Sequence, residues 1–411
     1  MVSPASSERI ASGVGLLKRG GQGVGDDRRG WRVVGITQKL GTGLTAPDAH
    51  MPHLPLQATI IVVVVERLKR VLRMPLARLL DVRSRLSWRR LGLAVYYHRL
   101  GDEQGDLHAT LGPPLPKSTF EDQLRYLAAR YRLVTASELM SAVRLRRRGE
   151  RLPVAITFDD DSPSHVEHAL PLLARHGVRA TFFLSGASLD GPFRFWWERL
   201  QAAWDRGLVD GALVDEWMGP HSGPGRPSSA TIHEAAARIQ ALPRRERDAV
   251  AQRLLEVLGP DPAEAAMPTG HVQALAEAGH EIGFHTLRHD PMTGLDRASL
   301  ARAVRDGREI LEKLAGRELT SIAYPHGGAD RRVADAAREA GFSFGFVADG
   351  GAVAPSEDPL LLPRRGPALG SLGHFALDVA RALATKPTLG HATEQRRLQP
   401  RRPRALASGS K

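Results

Sequence analysis

The stretch Val154-Ala155-Ile156-Thr157-Phe158-Asp159-Asp160-Asp161 decides the fold. Its first five residues, apolar except Thr157, form a run too short for a core helix, and a parallel strand buried on both faces has this form. The three carboxylates that end it repel one another, which is costly unless a cation or a shifted proton affinity relieves them. Taken alone, the triplet fits equally well a solvated turn in which one Asp caps the next helix. A helical pattern follows from about Ser164 to Arg175, and the next apolar run is Ala180 to Leu184. Strand, polar loop, helix and strand are the unit of an α/β fold with parallel strands.

That unit recurs outward in both directions. Further strands are expected at Leu93 to Tyr97, Glu281 to Phe284, Ser321 to Tyr324 and Phe342 to Val347. Helices are expected from Ser118, where Ser118 to Glu121 fits a capping box, and at about His271 to Ala278, Asp296 to Leu314 and Asp330 to Ala340. Gly177 and Gly279 are placed as helix stops. From Asp190 to Thr269 the rhythm breaks. Phe195-Trp196-Trp197-Glu198, Trp204, a Pro/Gly/Ser loop at 219–229 and a helix at about Ile232 to Leu258 read as an insertion or lid between two strands. The tryptophans are expected to pack its core, with stacking on sugar rings as the alternative.

The 411 residues, 42% hydrophobic and 25% charged, suffice for one large domain or two ordinary ones. Absence of cysteine excludes disulfides, thiolate metal sites, iron–sulfur clusters and a cysteine nucleophile, so any metal must be held by His, Asp or Glu. The formal charge of +12 sits at the ends: residues 1–90 carry 16 basic and 6 acidic groups, residues 367–411 carry 8 and 2, and residues 91–366 are left at −4. No nucleic-acid partner is therefore expected. Residues 91–366 are read as the folded domain with 190–269 as its insertion, residues 1–90 as a poorly ordered extension, and 367–411 as a terminal helix and disordered basic tail. Translation starting near Met74 is a further expectation. The most apolar run, Ala58 to Val65, stops at Glu66-Arg67, short of the roughly 18 residues a membrane span needs, and reads as a short strand or a chance patch. No secretory signal is recognised, so the expected location is cytoplasmic or peripheral to a membrane.

Three polar clusters fall at the C-terminal ends of expected strands, where parallel α/β barrels place active sites. The first is the Asp triplet. In the second, Gly279-His280-Glu281-Ile282-Gly283-Phe284-His285-Thr286-Leu287-Arg288-His289-Asp290, His285 and His289 are four apart, a spacing that puts two imidazoles on one side of a helical turn. Among 16 histidines such a pair is weak grounds for a metal. Joined to a carboxylate from another strand end, it completes the three-ligand set of a catalytic divalent site with open positions. The third is Ser321-Ile322-Ala323-Tyr324-Pro325-His326-Gly327-Gly328, where Pro325 fixes the chain and the glycines admit close backbone approach, or which is an ordinary strand-to-helix turn.

Thr157-Phe158-Asp159-Asp160, the His285/His289 pair in its Gly-His-Glu-Ile-Gly setting, and Ala323-Tyr324-Pro325-His326-Gly327 resemble, in order, the first three motifs of the polysaccharide deacetylases, the NodB-homology domain of carbohydrate esterase family 4. Val95-Tyr96-Tyr97-His98-Arg99 resembles the family's opening strand, Ala180-Thr181-Phe182-Phe183 its second strand and Leu362-Pro363-Arg364 a closing segment, so the likeness runs from Leu93 to Arg365. The resemblance implies a distorted (β/α)7 barrel, with an α-helical insertion between early strands and flexible basic tails, that binds zinc or a similar divalent ion. It implies a hydrolase that removes N-acetyl groups from an amino-sugar polysaccharide, oligosaccharide or glycolipid precursor. Carried over, Asp159 is the general base, Asp160, His285 and His289 are metal ligands, and Tyr324, Pro325, His326 and Gly327 line the acetyl pocket, with Arg364 a further substrate contact. Backbone N–H groups near His326 and Gly327 would stabilise the oxyanion.

Three departures stand out. Asp161 replaces the usual Gly and is expected to cap the next helix rather than face the ion. No Arg precedes the third motif to orient the base. The late Leu-x-x-His that would protonate the leaving amine has no clean equivalent, since His374 follows Leu372 by two residues, which leaves His326, His98 or Arg364 for that step. These departures motivate two alternatives: a catalytically weak carbohydrate-binding relative, and a hydrolase of a non-sugar amide.

Overall fold

The computed structural model describes residues 56–102, 111–209, 213, 229–265, 267–348, 350–368 and 370–384. Its strands are β1 (Leu93–Tyr97), β2 (Leu100–Gly101), β3 (Leu115–Pro116), β4 (Arg132–Val134), β5 (Pro153–Asp159), β6 (Thr181–Leu184), β7 (Glu281–Phe284), β8 (Ser321–Ala323), β9 (Phe344–Val347) and β10 (Leu362–Arg365). β1, β10, β9, β8, β7, β6 and β5 pair in that order, all in parallel, and β5 pairs back onto β1. The result is the expected closed (β/α)7 barrel, flanked by helices.

β5 carries the closure. All seven of its residues are buried. One edge runs along β1 from Leu93↔Val154 to Tyr97↔Phe158, while the other is shared between β4 at its start and β6 at its end. A strand covered on both faces and paired on both edges must be apolar throughout, which is why it was legible. Phe158 and Phe182 stack at 4.9 Å, and both pack against His165. At the N-terminal mouth, Glu281 is buried and joins three elements: it accepts from Thr181 Oγ1 at 2.9 Å, Ser321 Oγ at 2.6 Å and Ser137 N at 3.0 Å. Gly283 is required beside it, since a Cβ there would lie 2.5 Å from the Phe183 ring. The Gly-His-Glu-Ile-Gly segment thus builds the barrel rather than the site.

Local expectations are corrected at several points. The helix Lys117–Arg130 starts after Pro116 without a side-chain cap, and Glu121 instead accepts from Arg175 and His176. The stretch read as one helix at 296–314 is two, Arg297–Ala303 and Arg308–Ala315, broken where Gly307 takes φ +83°. Likewise the insertion holds Ser229–Ala241 and Arg244–Leu258, separated at Pro243, where one helix was expected. With Trp196–Asp205 these helices bury their own small core around Leu200, Ile239 and Leu254. β4 and β10 were not expected as strands; β4 is three residues long, and β10 carries a Pro and two Arg.

The largest difference lies upstream. Ala58 to Val65, read as a strand or chance patch inside a poorly ordered extension, belongs to the helix Leu56–Leu86, which packs on Leu372–Ala384. Buried Arg146 holds its end by donating to the carbonyls of Ser84, Arg85, Ser87 and Arg89. Ser84 and Arg85 belong to the last helical turn, whose carbonyls lack i+4 donors within the helix, and a cation there also complements the helix dipole. The remainder of the extension, residues 1–55, and the tail beyond 384 lie outside the described residues.

His280 gives the fold a pH dependence. Its Nδ1 accepts the Ala180 N–H at 3.1 Å, and burial, with the nearby Arg179 charge, lowers its pKa to about 4. Between pH 6.5 and 4 the unfolded chain therefore binds a proton that the folded chain refuses, so stability falls as pH falls. The depression corresponds to about 3 kcal/mol at its limit. Urea unfolding at steps from pH 7 to 4 is expected to show this loss, and His280→Asn, whose side-chain oxygen also accepts from Ala180, to reduce the slope.

Candidate metal centre and hydrolytic site

Among the described residues, four non-glycine residues have positive φ, and all lie at the C-terminal mouth: Asp160 (+71°), Thr286 (+60°), His289 (+50°) and His326 (+58°). For a β-branched residue such as Thr286 this conformation is rare, and each instance costs on the order of 1–3 kcal/mol. The strain has a visible product. After β7, the His285 N–H bonds Leu184 O at 2.8 Å and the His289 N–H bonds Thr286 O at 3.2 Å, so a tight loop rather than a helical turn folds the two imidazoles together. The pairing expected from their spacing is present, by a different local geometry.

His285 Nδ1 donates to Ala323 O at 2.8 Å, which leaves its Nε2 as the lone-pair side. That Nε2 lies 3.2 Å from Nε2 of His289. Asp160 Oδ1 sits 3.5 Å from the first and 3.3 Å from the second. The Asp160, His285 and His289 donor atoms lie within 4.8 Å of one another. Asp160 Oδ1 is buried and receives no hydrogen bond. A buried carboxylate oxygen without a donor is expensive, and a divalent cation satisfies it. Burial alone would raise the Asp160 pKa, but the neighbouring His289, His98 and His285 hold it far below the carboxylate range. This donor set, two imidazoles and one carboxylate, fits zinc or a similar ion.

Asp159, one residue earlier, is turned to the other side of the strand end. Its Oδ1 and Oδ2 accept from Nη1 and Nη2 of Arg364 at 2.6 and 2.7 Å. Arg364 is 1% exposed, lies between the Tyr96 and Phe183 rings, and also donates to Thr157 Oγ1 at 3.1 Å. Burial pushes the Asp159 carboxyl up, and the charges of Arg364 and His285 more than reverse this, leaving it below its ordinary value. Arg364 therefore fixes the direction of the Asp159 carboxylate, and both its terminal nitrogens are taken up by Asp159 and Thr157 rather than turned to the mouth. The arginine missing ahead of the third motif arrives from β10, which lies beside β1, which in turn lies beside β5.

Asp161 is corrected. It caps no helix and does not reach the cluster. Its oxygens accept from Ser185 N and Oγ at 2.8 Å, Gly186 N at 3.2 Å, and Ser188 N and Oγ at 3.3 Å, pinning the loop after β6. Ser188 Oγ in turn accepts from Met267 N at 3.1 Å.

The third motif divides. Tyr324 is fully buried in the core and donates to Leu360 O at 2.9 Å, and Pro325 is buried beside it, so Tyr324 does not line the mouth. Gly327 takes φ +69°, a Cβ there would meet Ala348 Cβ at 2.2 Å, and its N–H is committed to Tyr324 O at 2.9 Å, which removes it as an oxyanion donor. His326 does face the cluster, its ring 4.6 Å from that of His289. Although His326 keeps substantial exposure to solvent, partial desolvation and the adjacent His289 and His285 lower its pKa.

The insertion closes over this face. Trp197 stacks on Phe195 at 4.5 Å and lies 4.8 Å from His289 and 6.3 Å from His326, while Trp196 and Trp204 pack on the insertion core. Gln240 reaches His326 Nε2 at 3.3 Å, and buried Arg247 pairs closely with Asp290, next to His289. Glu198 accepts from Phe195 N at 3.1 Å and lies 3.5 Å from Arg99; burial raises its pKa, and the charge of Asp160 adds to the rise. Sequence reasoning passed over Glu198, whose one signal was its place three residues into a helix.

A family model for polysaccharide deacetylases matches residues 146–211 and 252–345, with its gap inside the insertion. The Bacillus subtilis (strain 168) protein YxkH, provisionally described as a polysaccharide deacetylase, is 19% identical over 251 residues, covering 61% of this chain and 64% of that one. The chain thus spans a little under two thirds of that relative. The deacetylase PplD of Streptococcus pyogenes, in complex with acetate, superposes with TM-score 0.47 at 14% identity over 72% of this chain and 99% of that one. IcaB from Ammonifex degensii gives 0.45 at 16% over 72% and 97%.

The two aspartates flanking the mouth are expected to fail differently. Asp160→Ala loses metal affinity by at least about tenfold with little change in melting temperature. Asp161→Ala retains metal and loses about 2–4 kcal/mol of stability, because several hydrogen bonds to a charged acceptor vanish. Metal content after desalting and thermal unfolding separate the two.

Proposed function

The chain belongs to the polysaccharide deacetylase family, and from that premise we propose that it is a metal-dependent hydrolase that removes N-acetyl groups from an amino-sugar glycan. The observation that carries the proposal is the convergence of Asp160, His285 and His289 on one point, with the separately held base Asp159 adjacent in the chain. Zinc or a similar divalent ion on those three residues supplies Lewis acidity, polarising an amide carbonyl and lowering the pKa of water from 15.7 to about 7.

The chain's own residues divide the remaining tasks. Asp159 takes the proton of the attacking water. Each of its oxygens spends one lone pair on Arg364 and keeps another for that proton. The ion pair makes Asp159 a weaker base, yet ensures that it is ionised and fixed in direction at neutral pH. His326 and Trp197 bound the space beside His289 and would hold the acetyl group and the ring that bears it. The leaving amine needs a proton. Arg364 is committed to Asp159, which leaves His326 and His98, and Glu198 joins them as a candidate because burial raises its proton affinity against the opposing charge of Arg99.

Acetate release from chito-oligosaccharides tests this reading. Asp159→Asn is expected to lower kcat by about 10²–10⁴-fold with metal retained, and Glu198→Gln to lower kcat with KM little changed. Chelation is expected to abolish turnover and zinc to restore it. Full activity in the metal-free protein, or in Asp159→Asn, overturns the proposal.

A further inference from the structure

Seven of the eleven exposed large hydrophobic side chains among the described residues lie between positions 71 and 88. Six belong to the helix Leu56–Leu86: Val71, Leu72, Leu76, Leu79, Val82 and Leu86, each 38–70% exposed. At 3.6 residues per turn they gather on one side. On the opposite side Ala77 and Ser84 are buried, Met74 and Leu80 pack into the main core, and Asp81 accepts from the Tyr126 and Tyr131 hydroxyls. From Val71 to Leu86 the helix therefore has two apolar faces, one used by the fold and one turned outward. Isolated exposed leucines need no explanation, but a continuous stripe does.

Charge selects the occupant. Between residues 71 and 90 the chain has six arginines, and the only acid, Asp81, is on the packed side. Arg78, Arg83, Arg85, Arg89 and Arg90 are exposed around the stripe. Trp88, 79% exposed, follows the helix with the Arg148 guanidinium 5.6 Å over its ring, an amphipathic pair of the kind found at headgroup level. A second copy of the chain on this face would set arginines against arginines, and residues 1–55 and 385–411 are themselves net basic. An anionic surface with an apolar interior matches both the charge and the stripe. No helix of the described residues is long and apolar enough to cross a membrane, so the helix would lie along the surface rather than span it.

We propose that the outward face of the helix from Val71 to Leu86, together with Trp88, seats this protein on an anionic lipid bilayer with this segment lying in the interface. The full chain is expected to sediment with phosphatidylglycerol-containing vesicles at about 0.1 M salt, to bind pure phosphatidylcholine vesicles at least about tenfold more weakly, and to be released by about 0.5 M salt. Leu76→Glu with Leu79→Glu is expected to weaken binding at least about tenfold, and Arg78→Glu with Arg83→Glu to remove the preference for anionic lipid. All four side chains face outward, and unchanged circular dichroism and unfolding midpoint confirm the fold. Independently of these variants, brominated lipid is expected to quench tryptophan fluorescence in the wild type and much less in Trp88→Phe. No binding to anionic vesicles, undiminished binding by the Leu76/Leu79 variant, or a concentration-dependent dimer that this variant abolishes would overturn the proposal, the last because a second copy then covers the face.

Discussion

The buried pair of Asp159 and Arg364 is the constraint on which the rest depends. Two opposite charges held at 2.6–2.7 Å with almost no exposure to water are stable only together, since removing one strands the other in a low-dielectric interior. The pair forms only if β10 has returned beside β1 and β1 lies beside β5, that is, only if the barrel has closed. Closure and the orientation of the candidate base are therefore one event. The rings of Tyr96 and Phe183 on either side of the guanidinium exclude water and give its cationic face a partner.

Around that pair the C-terminal mouth carries strain that the packed barrel body supports. Among the described residues, the four non-glycine residues with positive φ are three cluster-facing side chains and Thr286, which turns the loop between His285 and His289. The support is local and polar: Asp161 holds the loop after β6, Ala323 O fixes the ring of His285, and the paired Arg247 and Asp290 anchor the segment after His289 to the insertion. Each of these contacts positions a group without itself facing the point of convergence, and the insertion adds Trp197 and Glu198 above it. Its separate core lets it cover the mouth without altering the barrel beneath.

Several parts of this were legible in the residues alone. Strands buried on both faces show as short unbroken apolar runs, so β1, β5, β6, β7, β8 and β9 were found to within two residues. The order of Asp159-Asp160, His285/His289 and Tyr324-Pro325-His326-Gly327 at three strand ends named the ligand and base candidates, because chemistry demands those side-chain types whatever holds them. What misled was local grammar. An Asp before a helix looks like a cap, a Ser-x-x-Glu looks like a capping box, a Tyr in a motif looks like a pocket wall, and an eight-residue apolar run beside charges looks accidental.

Sequence by itself therefore determined the barrel class, the three site clusters and the identities of the candidate ligands, since each rests on periodicity or on chemical type within a few residues. Only the tertiary structure decided that Arg364 serves Asp159, that Asp161 serves the loop after β6, that Tyr324 belongs to the core, and that the helix from Val71 to Leu86 has one apolar face packed and another exposed. The physical reason is range. Arg364 and Asp159 are 205 residues apart, and Arg146 reaches about sixty residues back to hold the end of the helix. Such partners have no spacing that a one-dimensional pattern reveals; they meet because a closed sheet brings its first and last strands together.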